Sequence, residues 1–159
     1  MANNKQIFTP EEIETGLTHR RASSRCAYAR RNYKLTPEQI ERGLTDVDRD
    51  VRRVFAERED YTPTKEQLER GFADKSIYVV RAFANRRDLT KKQIEEGLTH
   101  KDGSVRARFA ERKDCKFTPE QIERGLTDVD DEVRWKFAER DDYKATPAQI
   151  MRGLMSTAI

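Results

Sequence analysis

The residues of this sequence with the most reactive side chains are two histidines, two cysteines and a pair of serines. His19 and His100 occupy equivalent positions in the turns of two repeats, where each is interpreted as a turn residue, and they lie too far apart to share a metal ion. Cys26 has no neighbouring base in the sequence that would make it a nucleophile, and Ser23 and Ser24 fill positions that are a polar turn or valine in other repeats. The sequence therefore predicts no catalytic residue, no metal site and no cofactor, and we expect that the chain is not an enzyme.

Arginines recur at one position of the repeat, and guanidinium groups in a row can do two kinds of chemistry. They can bind the phosphates of a polyanion, or they can pair with aspartates in a ladder that ties one repeat to the next. At about 100° per residue, this helical position flanks the buried valine and aromatic residue rather than the open face, which favours the ladder. The arginines are Arg25, Arg52, Arg106 and Arg134.

These residues are positioned by an internal repeat. The string TPEQIERGLTDVD occupies residues 36–48 and returns unchanged at residues 118–130. Degenerate copies give five repeats of roughly 27 residues and the opening of a sixth, and such periods are typical of solenoids, propellers and arrays. The repeats, numbered 1 to 6, start at Thr9, Thr36, Thr64, Thr90, Thr118 and Thr146. We expect one domain over residues 1–159.

The first part of each repeat predicts a short helix. Its threonine is a good N-cap, the proline that usually follows suits the first turn, and a Glu or Gln completes a capping box. Two apolar residues four positions apart, such as Ile40 and Leu44, share one helical face. The glycine between them indicates close approach of another helix or an early helix end, and both an α-helix and a 3₁₀-helix remain possible.

The second part of each repeat predicts a firmer helix. A polar turn ends at a good N-cap residue. A valine and, four residues later, an aromatic residue followed by alanine form the buried face. An arginine then closes the last turn, where a cation interacts favourably with the helix dipole. The N-caps are Asp48, Ser76, Asp102 and Asp130, and the closing arginines are Arg31, Arg58, Arg86, Arg112 and Arg140.

A single repeat buries too little apolar surface to fold alone, so its stability has to come from stacking on its neighbours. We therefore predict an all-α solenoid of about five two-helix repeats with a C-terminal capping helix. The composition agrees, since 35% apolar and 38% charged residues suit an elongated stack better than a globule with one deep core.

The string VRRVFAEREDYTPTKEQLERGFAD at residues 51–74 resembles the leucine-rich repeat variant, a bacterial relative of the HEAT repeat. The resemblance covers nearly the whole chain. It implies a right-handed superhelix of paired helices that binds other macromolecules and has no chemistry of its own. It also implies that Asp46 with Arg52, and Asp128 with Arg134, correspond to the buried charged ladder of HEAT repeats.

The location is expected to be the cytoplasm. No apolar run is long enough to span a membrane, and the first residues lack the apolar core of a signal peptide. Cys26 and Cys115 lie about three repeats apart, so free thiols in a reducing compartment are expected.

Basic residues outside the ladder form two groups. Arg20 and Arg21 lie in repeat 1, and Lys101 and Arg108 lie in repeat 4. They could bind an acidic protein or nucleic acid. The net charge is only +3, and the acidic repeats 2 and 5 interrupt any basic stripe, which argues against nucleic acid as the main ligand.

Some residues depart from the repeat pattern and are candidates for partner binding. Trp135 follows the ladder arginine and is expected to point outward beside Lys136, or to lie over the neighbouring helix. An outward tryptophan is a candidate anchor, because Trp and Arg dominate interface energetics. Ile77 and Tyr78 replace the acidic turn of repeat 3 and are also expected to be exposed.

The C-terminal stretch MRGLMSTAI replaces polar positions with Met151, Met155 and Ile159. It is either a cap over the final layer or a self-association surface, so we expect a monomer or a weak homodimer. The favoured function is a non-catalytic protein-binding solenoid that acts as an adaptor or inhibitor of another macromolecule. The alternative is a solenoid that binds nucleic acid through the basic residues of repeats 1 and 4.

Overall fold

The computed structural model describes residues 7–144 and 146–156, apart from the side chains of residues 150 and 153–156. All regular structure in these residues is helical, which confirms the all-α prediction. None of the described helices has the length and apolar content that crossing a bilayer requires. The helices are α1 (Pro10–Leu17), α2 (Ala22–Ala29), α3 (Pro37–Leu44), α4 (Arg49–Glu57), α5 (Lys65–Phe72), α6 (Ile77–Ala84), α7 (Lys91–Leu98), α8 (Gly103–Ala110), α9 (Pro119–Leu126), α10 (Asp131–Ala138) and α11 (Pro147–Ser156).

The odd-numbered helices begin at the predicted capping boxes. In α3 the hydroxyl of Thr36 accepts the backbone N–H of Gln39 at 3.2 Å, and the side chain of Gln39 accepts the N–H of Thr36 at 3.0 Å. The same reciprocal pair opens α1, α5, α7, α9 and α11. The first helix of each repeat is an α-helix, which decides between the two helix types that the sequence left possible.

Three of the second helices begin at the predicted aspartate caps, α2 begins after Arg21 without a side-chain cap, and the predicted serine cap of α6 is not formed. Asp48, Asp102 and Asp130 accept backbone N–H groups at the start of α4, α8 and α10. Ser76 precedes α6, but its hydroxyl is buried and has no hydrogen-bond partner in the described structure. Ser76 therefore does not act as a side-chain cap.

In repeats 1 to 5 the recurring glycine of the first helix lies against the aromatic ring of the same repeat. A methyl group on Gly43 would collide with the ring of Phe55, and one on Gly97 would collide with the ring of Phe109. Repeats 1, 3 and 5 show the same arrangement. Close approach by the second helix, rather than an early helix end, is the reason for the glycine.

The contacts divide the chain into two compact groups, residues 1–83 and residues 84–159. In the first group, α2 packs against α1 and α4, and α3 packs against α4. In the second group, α8 packs against α7 and α10, and α9 packs against α10 and α11. A second helix thus contacts both the first helix of its own repeat and the second helix of a neighbouring repeat. One domain over residues 1–159 stays a prediction.

Replacing Phe109 with alanine should lower the free energy of unfolding by roughly 3–5 kcal/mol, because loss of a buried ring leaves a cavity. Phe109 is 0% exposed and its ring lies against Gly97. Urea unfolding measures the loss. Val129→Ala is the control, since Val129 is 94% exposed and its loss should stay within about 0.5 kcal/mol. An unchanged stability of the Phe109 variant would contradict the inward orientation of this helix face.

Candidate functional site

The arginine–aspartate ladder is present, and its ion pairs join successive repeats. In the best example, Nε of Arg106 donates to Oδ2 of Asp128 at 2.8 Å and Nη2 donates to Oδ1 at 2.6 Å. The third nitrogen, Nη1, donates to the backbone carbonyls of His100 and Lys101 at 2.8 and 3.2 Å. The ladder pairs are Arg25–Asp46, Arg52–Asp74 and Arg106–Asp128.

The pairing differs from the one that the resemblance implied. The carboxylate of Asp46 is held by Arg25 of the preceding repeat, not by Arg52. Arg52 instead donates to the backbone carbonyl of Asp46 at 2.8 Å and pairs with the carboxylate of Asp74. The arginine follows the aspartate by only six residues, so Nη1 reaches the carbonyls of its own turn. The Nε edge is left for the next repeat.

The expected partner of Arg134 in repeat 5 is wrong for the same reason. Nη1 of Arg134 donates to the backbone carbonyl of Asp128 at 2.6 Å, while the carboxylate of Asp128 belongs to Arg106. Nε of Arg134 is buried and has no hydrogen-bond partner in the described structure. The implied pair Asp128–Arg134 is therefore a contact with the backbone rather than a ladder ion pair.

The two histidines close the same turn that the ladder aspartates close. Oδ1 of Asp46 accepts the backbone N–H of Asp48 at 2.9 Å. Nδ1 of His19 accepts the N–H of Arg21 at 3.1 Å, and Nδ1 of His100 makes the equivalent bond at 3.1 Å. An imidazole nitrogen thus replaces one carboxylate oxygen in the turn, which agrees with the interpretation of both histidines as turn residues.

The cysteines and the possible metal ligands show no arrangement that would support catalysis or metal binding in the described residues. In the part of the chain that the structure describes, no three His, Cys, Asp or Glu residues are grouped to hold a metal ion. Burial raises the pKa of the Cys26 thiol, and burial likewise raises the pKa of Cys115. A raised pKa keeps both thiols protonated at neutral pH, whereas a nucleophilic cysteine has to be a thiolate.

The arginine that closes the second helix reaches back to the preceding repeat in repeats 2, 4 and 5. Nη1 of Arg140 donates to the backbone carbonyls of Ala110 at 2.8 Å and Arg112 at 2.5 Å, and Nη2 donates to that of Cys115 at 3.1 Å. Asp142 holds the same guanidinium at 2.7 Å. The acceptors lie at and beyond the C-terminal end of α8, so this guanidinium supplies hydrogen bonds that α8 cannot make within itself.

Arg58 makes the same set of contacts in the first group of helices. It donates to the carbonyls of Ala29, Arg31 and Tyr33, the last at 2.8 Å, and pairs with Asp60. The sequence predicted these arginines at the end of their own helix, and Arg58 is the C-cap residue of α4. Their backbone acceptors in the preceding repeat were not predicted, because they lie at a distance along the chain that local reasoning does not cover.

A second charged row, which the sequence analysis missed, joins the first helices. Glu41 accepts from the side-chain amide of Gln67 at 2.9 Å and pairs with Arg70 at 2.7 Å. Equivalent contacts are made by Glu14, Glu95 and Glu123. These pairs are close to half exposed, so each contributes little stability. The sequence did contain a signal for this row. A glutamate occurs in the first helix of each of repeats 1 to 5, and most of the next first helices carry a Gln and an Arg.

Two of the predicted binding residues belong to a partly buried ion cluster. Nζ of Lys136 lies 2.6 Å from Oε1 of Glu111, and Nη1 of Arg108 lies 3.2 Å from Oε2 of the same residue. Nη2 of Arg108 also lies 4.0 Å from Glu132. The cluster ties α8 to α10, so the charges of Lys136 and Arg108 are largely neutralised within the fold.

The other predicted basic residues lie on the surface. Arg20, Arg21 and Lys101 are exposed, and their side chains have no carboxylate partner within the described residues. The backbone carbonyls of Arg20 and Lys101 accept hydrogen bonds from ladder arginines. The turn that precedes each second helix therefore presents these side chains to solvent.

The residues predicted to be exposed are exposed, but Ile77 and Tyr78 do not replace the acidic turn of repeat 3. They lie at the start of α6, and Asp74 keeps its place in the turn, where it accepts the N–H of Ser76 at 2.8 Å.

Trp135 is 55% exposed on α10, and Nζ of Lys136 lies 4.7 Å from the centroid of its ring. Tyr78 is 52% exposed, with the guanidinium of Arg49 at 5.7 Å from its ring, and Ile77 is partly exposed. None of these side chains is buried in the fold, so each is available to a partner.

The C-terminal candidates are described only in part. Met151 is 57% exposed on α11. The side chain of Met155 and the whole of Ile159 lie outside the described residues. Self-association through this end stays a prediction.

Comparison of the chain with family models, with curated proteins and with solved structures finds no match. The resemblance to the leucine-rich repeat variant and to HEAT repeats therefore stays a prediction from the residues.

Replacing Arg106 with alanine should destabilise the protein by on the order of 3 kcal/mol, because it leaves the carboxylate of Asp128 partly buried without a cation. Both side chains are nearly 90% buried, at 12% and 11% exposure. Arg124→Ala is the matched control, since it breaks an exposed pair with Glu95 and should cost less than about 1 kcal/mol. Equal losses in urea unfolding would contradict the ladder.

The ladder should also make stability depend on pH. Burial raises the pKa of Asp128, but hydrogen bonds from Arg106 and from the N–H of Asp130 outweigh burial and lower it overall. Asp74 is lowered in the same way through Arg52. Since the folded pKa lies below the unfolded value of about 3.9, this stability is complete above that value and is lost as pH falls through the folded pKa.

Urea unfolding from about pH 5 to pH 2 should therefore show stability falling with pH. Asp128→Asn should flatten that dependence, because one of the shifted carboxylates is gone. If the free energy of unfolding falls with pH equally in the variant and in the wild type, the assigned role of Asp128 is contradicted.

Proposed function

We propose that this chain is a non-catalytic helical-repeat protein that binds another protein, as an adaptor or inhibitor. The observation that carries the proposal is a contrast between the charged side chains at recurring positions of the repeat, which are engaged within the fold, and two large aromatic side chains, which are exposed. Ladder, closing and first-helix charges are engaged with neighbouring repeats, whereas the large aromatic side chains of Trp135 and Tyr78 are more than half exposed. Exposed aromatic residues on a rigid helix are the usual anchors of protein interfaces.

The finer architecture belongs to the same proposal. The recurrence of the repeat, with second helices that pack against the second helices of neighbouring repeats, supports a right-handed α-solenoid of the HEAT type. Cytoplasmic location, one domain over the whole chain, and a monomer or weak homodimer complete it. In such arrays each repeat offers the same helix face, so partner specificity comes from the residues that differ between repeats.

A second candidate is a nucleic-acid-binding protein, and one observation favours it. Arg20, Arg21 and Lys101 are exposed without a carboxylate partner in the described residues, so they could contact phosphates. Against it, the groove beside α2 and α4 mixes Arg30, Arg31 and Arg58 with the acidic residues 57, 59 and 60. Mixed charge of this kind weakens the attraction of a polyanion.

Trp135→Ala and Tyr78→Ala should melt like the wild type, and at least one should lose a protein ligand by about 2 kcal/mol or more in binding free energy. The ligand is identified by capture from a cell extract, purified, and measured by calorimetry. Val47→Ala is the control, since Val47 is 95% exposed but small.

The nucleic-acid alternative predicts that the protein binds a DNA duplex through its exposed arginines rather than through its aromatic residues. Binding that weakens steeply with salt, is lost in Arg20→Gln/Arg21→Gln, and is unaffected by both aromatic variants would overturn the protein-binding proposal in favour of nucleic acid.

A further inference from the structure

In repeats 1 and 4 the residue that follows the ladder arginine is buried, and the second helix of the next repeat packs alongside. Cys26 on α2 is 6% exposed, and α2 packs against α4. Ala107 on α8 is 0% exposed, and α8 packs against α10. Trp135 holds the same position on α10 and is 55% exposed. Among the described residues α10 is the last second helix, so Trp135 lies on a helix face that elsewhere receives a helix.

The packing of α10 on α8 shows which charge such a face receives. Glu111 follows Ala107 by one turn and binds Nζ of Lys136, supplied by the incoming helix, at 2.6 Å. Glu139 follows Trp135 by the same one turn. Glu139 is exposed and makes no ion pair within the described residues. The two glutamates hold equivalent positions, so a cation on an incoming helix would meet Glu139 as Lys136 meets Glu111.

The remaining charges around Trp135 point to the same kind of partner. Asp131, one turn before Trp135, is exposed and has no ion pair among the described residues. The negative charge of Asp131 interacts favourably with the dipole at the start of α10, whereas the negative charge of Glu139 at the C-cap interacts unfavourably with it. The nearest cation, Lys136, covers part of the Trp135 ring and is held by Glu111. The exposed charge on this face is therefore acidic.

We propose that the open edge of α10, formed by Trp135, Glu139 and Asp131, binds a helix of another protein that carries a lysine or arginine beside apolar side chains. The apolar side chains pack on Trp135, and the cation pairs with Glu139. The binding reproduces the contact that α10 makes with α8, with the partner in the place of a following second helix. This inference rests on the proposed protein-binding function and names the chemistry of the partner.

The test uses Trp135 as its own reporter, because it is the only tryptophan of the sequence. Two amphipathic helical peptides serve as probes, one of leucine and lysine and one of leucine and glutamate. The leucine–lysine peptide should shift the tryptophan emission to shorter wavelength and saturate, while the leucine–glutamate peptide should have no effect. In free protein, each ion's quenching of Trp135 is compared with its quenching of free N-acetyltryptophanamide at equal ionic strength, and this ratio should be higher for caesium than for iodide, since the surrounding charge is acidic.

Variants locate the binding by anisotropy of the labelled leucine–lysine peptide. Glu139→Gln should weaken it several-fold and Trp135→Ala at least about tenfold. Glu57→Gln and Tyr78→Ala are the matched controls, because they change the same kinds of residue in the other group of helices. Glu139→Gln alters an exposed side chain, so it keeps the test valid if Trp135→Ala melts early.

Each other outcome overturns a definite statement. If the leucine–glutamate peptide binds equally well through Trp135, or Glu139→Gln has no effect, the basic partner is wrong while the protein-binding function stands. If the wild type dimerises in sedimentation and Trp135→Ala does not, the occupant is a second copy of this chain. If neither peptide binds up to about 1 mM but a DNA duplex binds through Arg20 and Arg21, both proposals fail.

Discussion

Short helices leave many backbone groups without a partner, and this constraint governs the rest of the structure. An α-helix cannot pair its first four N–H groups or its last four carbonyls, so about half of the groups in an eight-residue helix need partners from outside. Most helices here have eight residues. Threonine capping boxes and aspartate caps satisfy the N-termini locally. The carbonyls beyond the second helices are satisfied by an arginine from the following repeat, such as Arg58 or Arg140.

This requirement explains why the arginines at recurring positions of the repeat are used within the fold. Arg106 and Arg52 bind both their own turn and the aspartate of the next repeat, so each links two repeats through one side chain. The glutamates of the first helices add an exposed row with the same spacing. What remains for function lies where a repeat departs from the pattern, and the exposed Trp135 beside Glu139 is the clearest such place.

Features that depend on neighbouring residues in sequence could be predicted, whereas for contacts between repeats the sequence predicted that a ladder exists but not which residues pair in it. The Thr36–Gln39 capping box spans three residues, so its pattern is visible in the sequence. The choice of Asp74 rather than Asp46 as the partner of Arg52 depends on how two repeats pack. The position of Trp135 on its helix left an outward side chain and one lying over a neighbouring helix both possible. Ala107 is buried at the same position, so exposure there depends on how the repeats pack.

A guanidinium from one repeat satisfies the helix end of the repeat before it. Making the same substitution at two equivalent arginines tests this role. Arg58 and Arg31 hold the same repeat position, but Arg31 is exposed and lies over the rings of Phe8 and Tyr28. Urea unfolding should show that Arg58→Met, which strips partners from several carbonyls, costs on the order of 3 kcal/mol or more. Arg31→Met should cost less than about 1 kcal/mol, the value of an exposed cation–π contact. Equal losses in the two variants would contradict the claim.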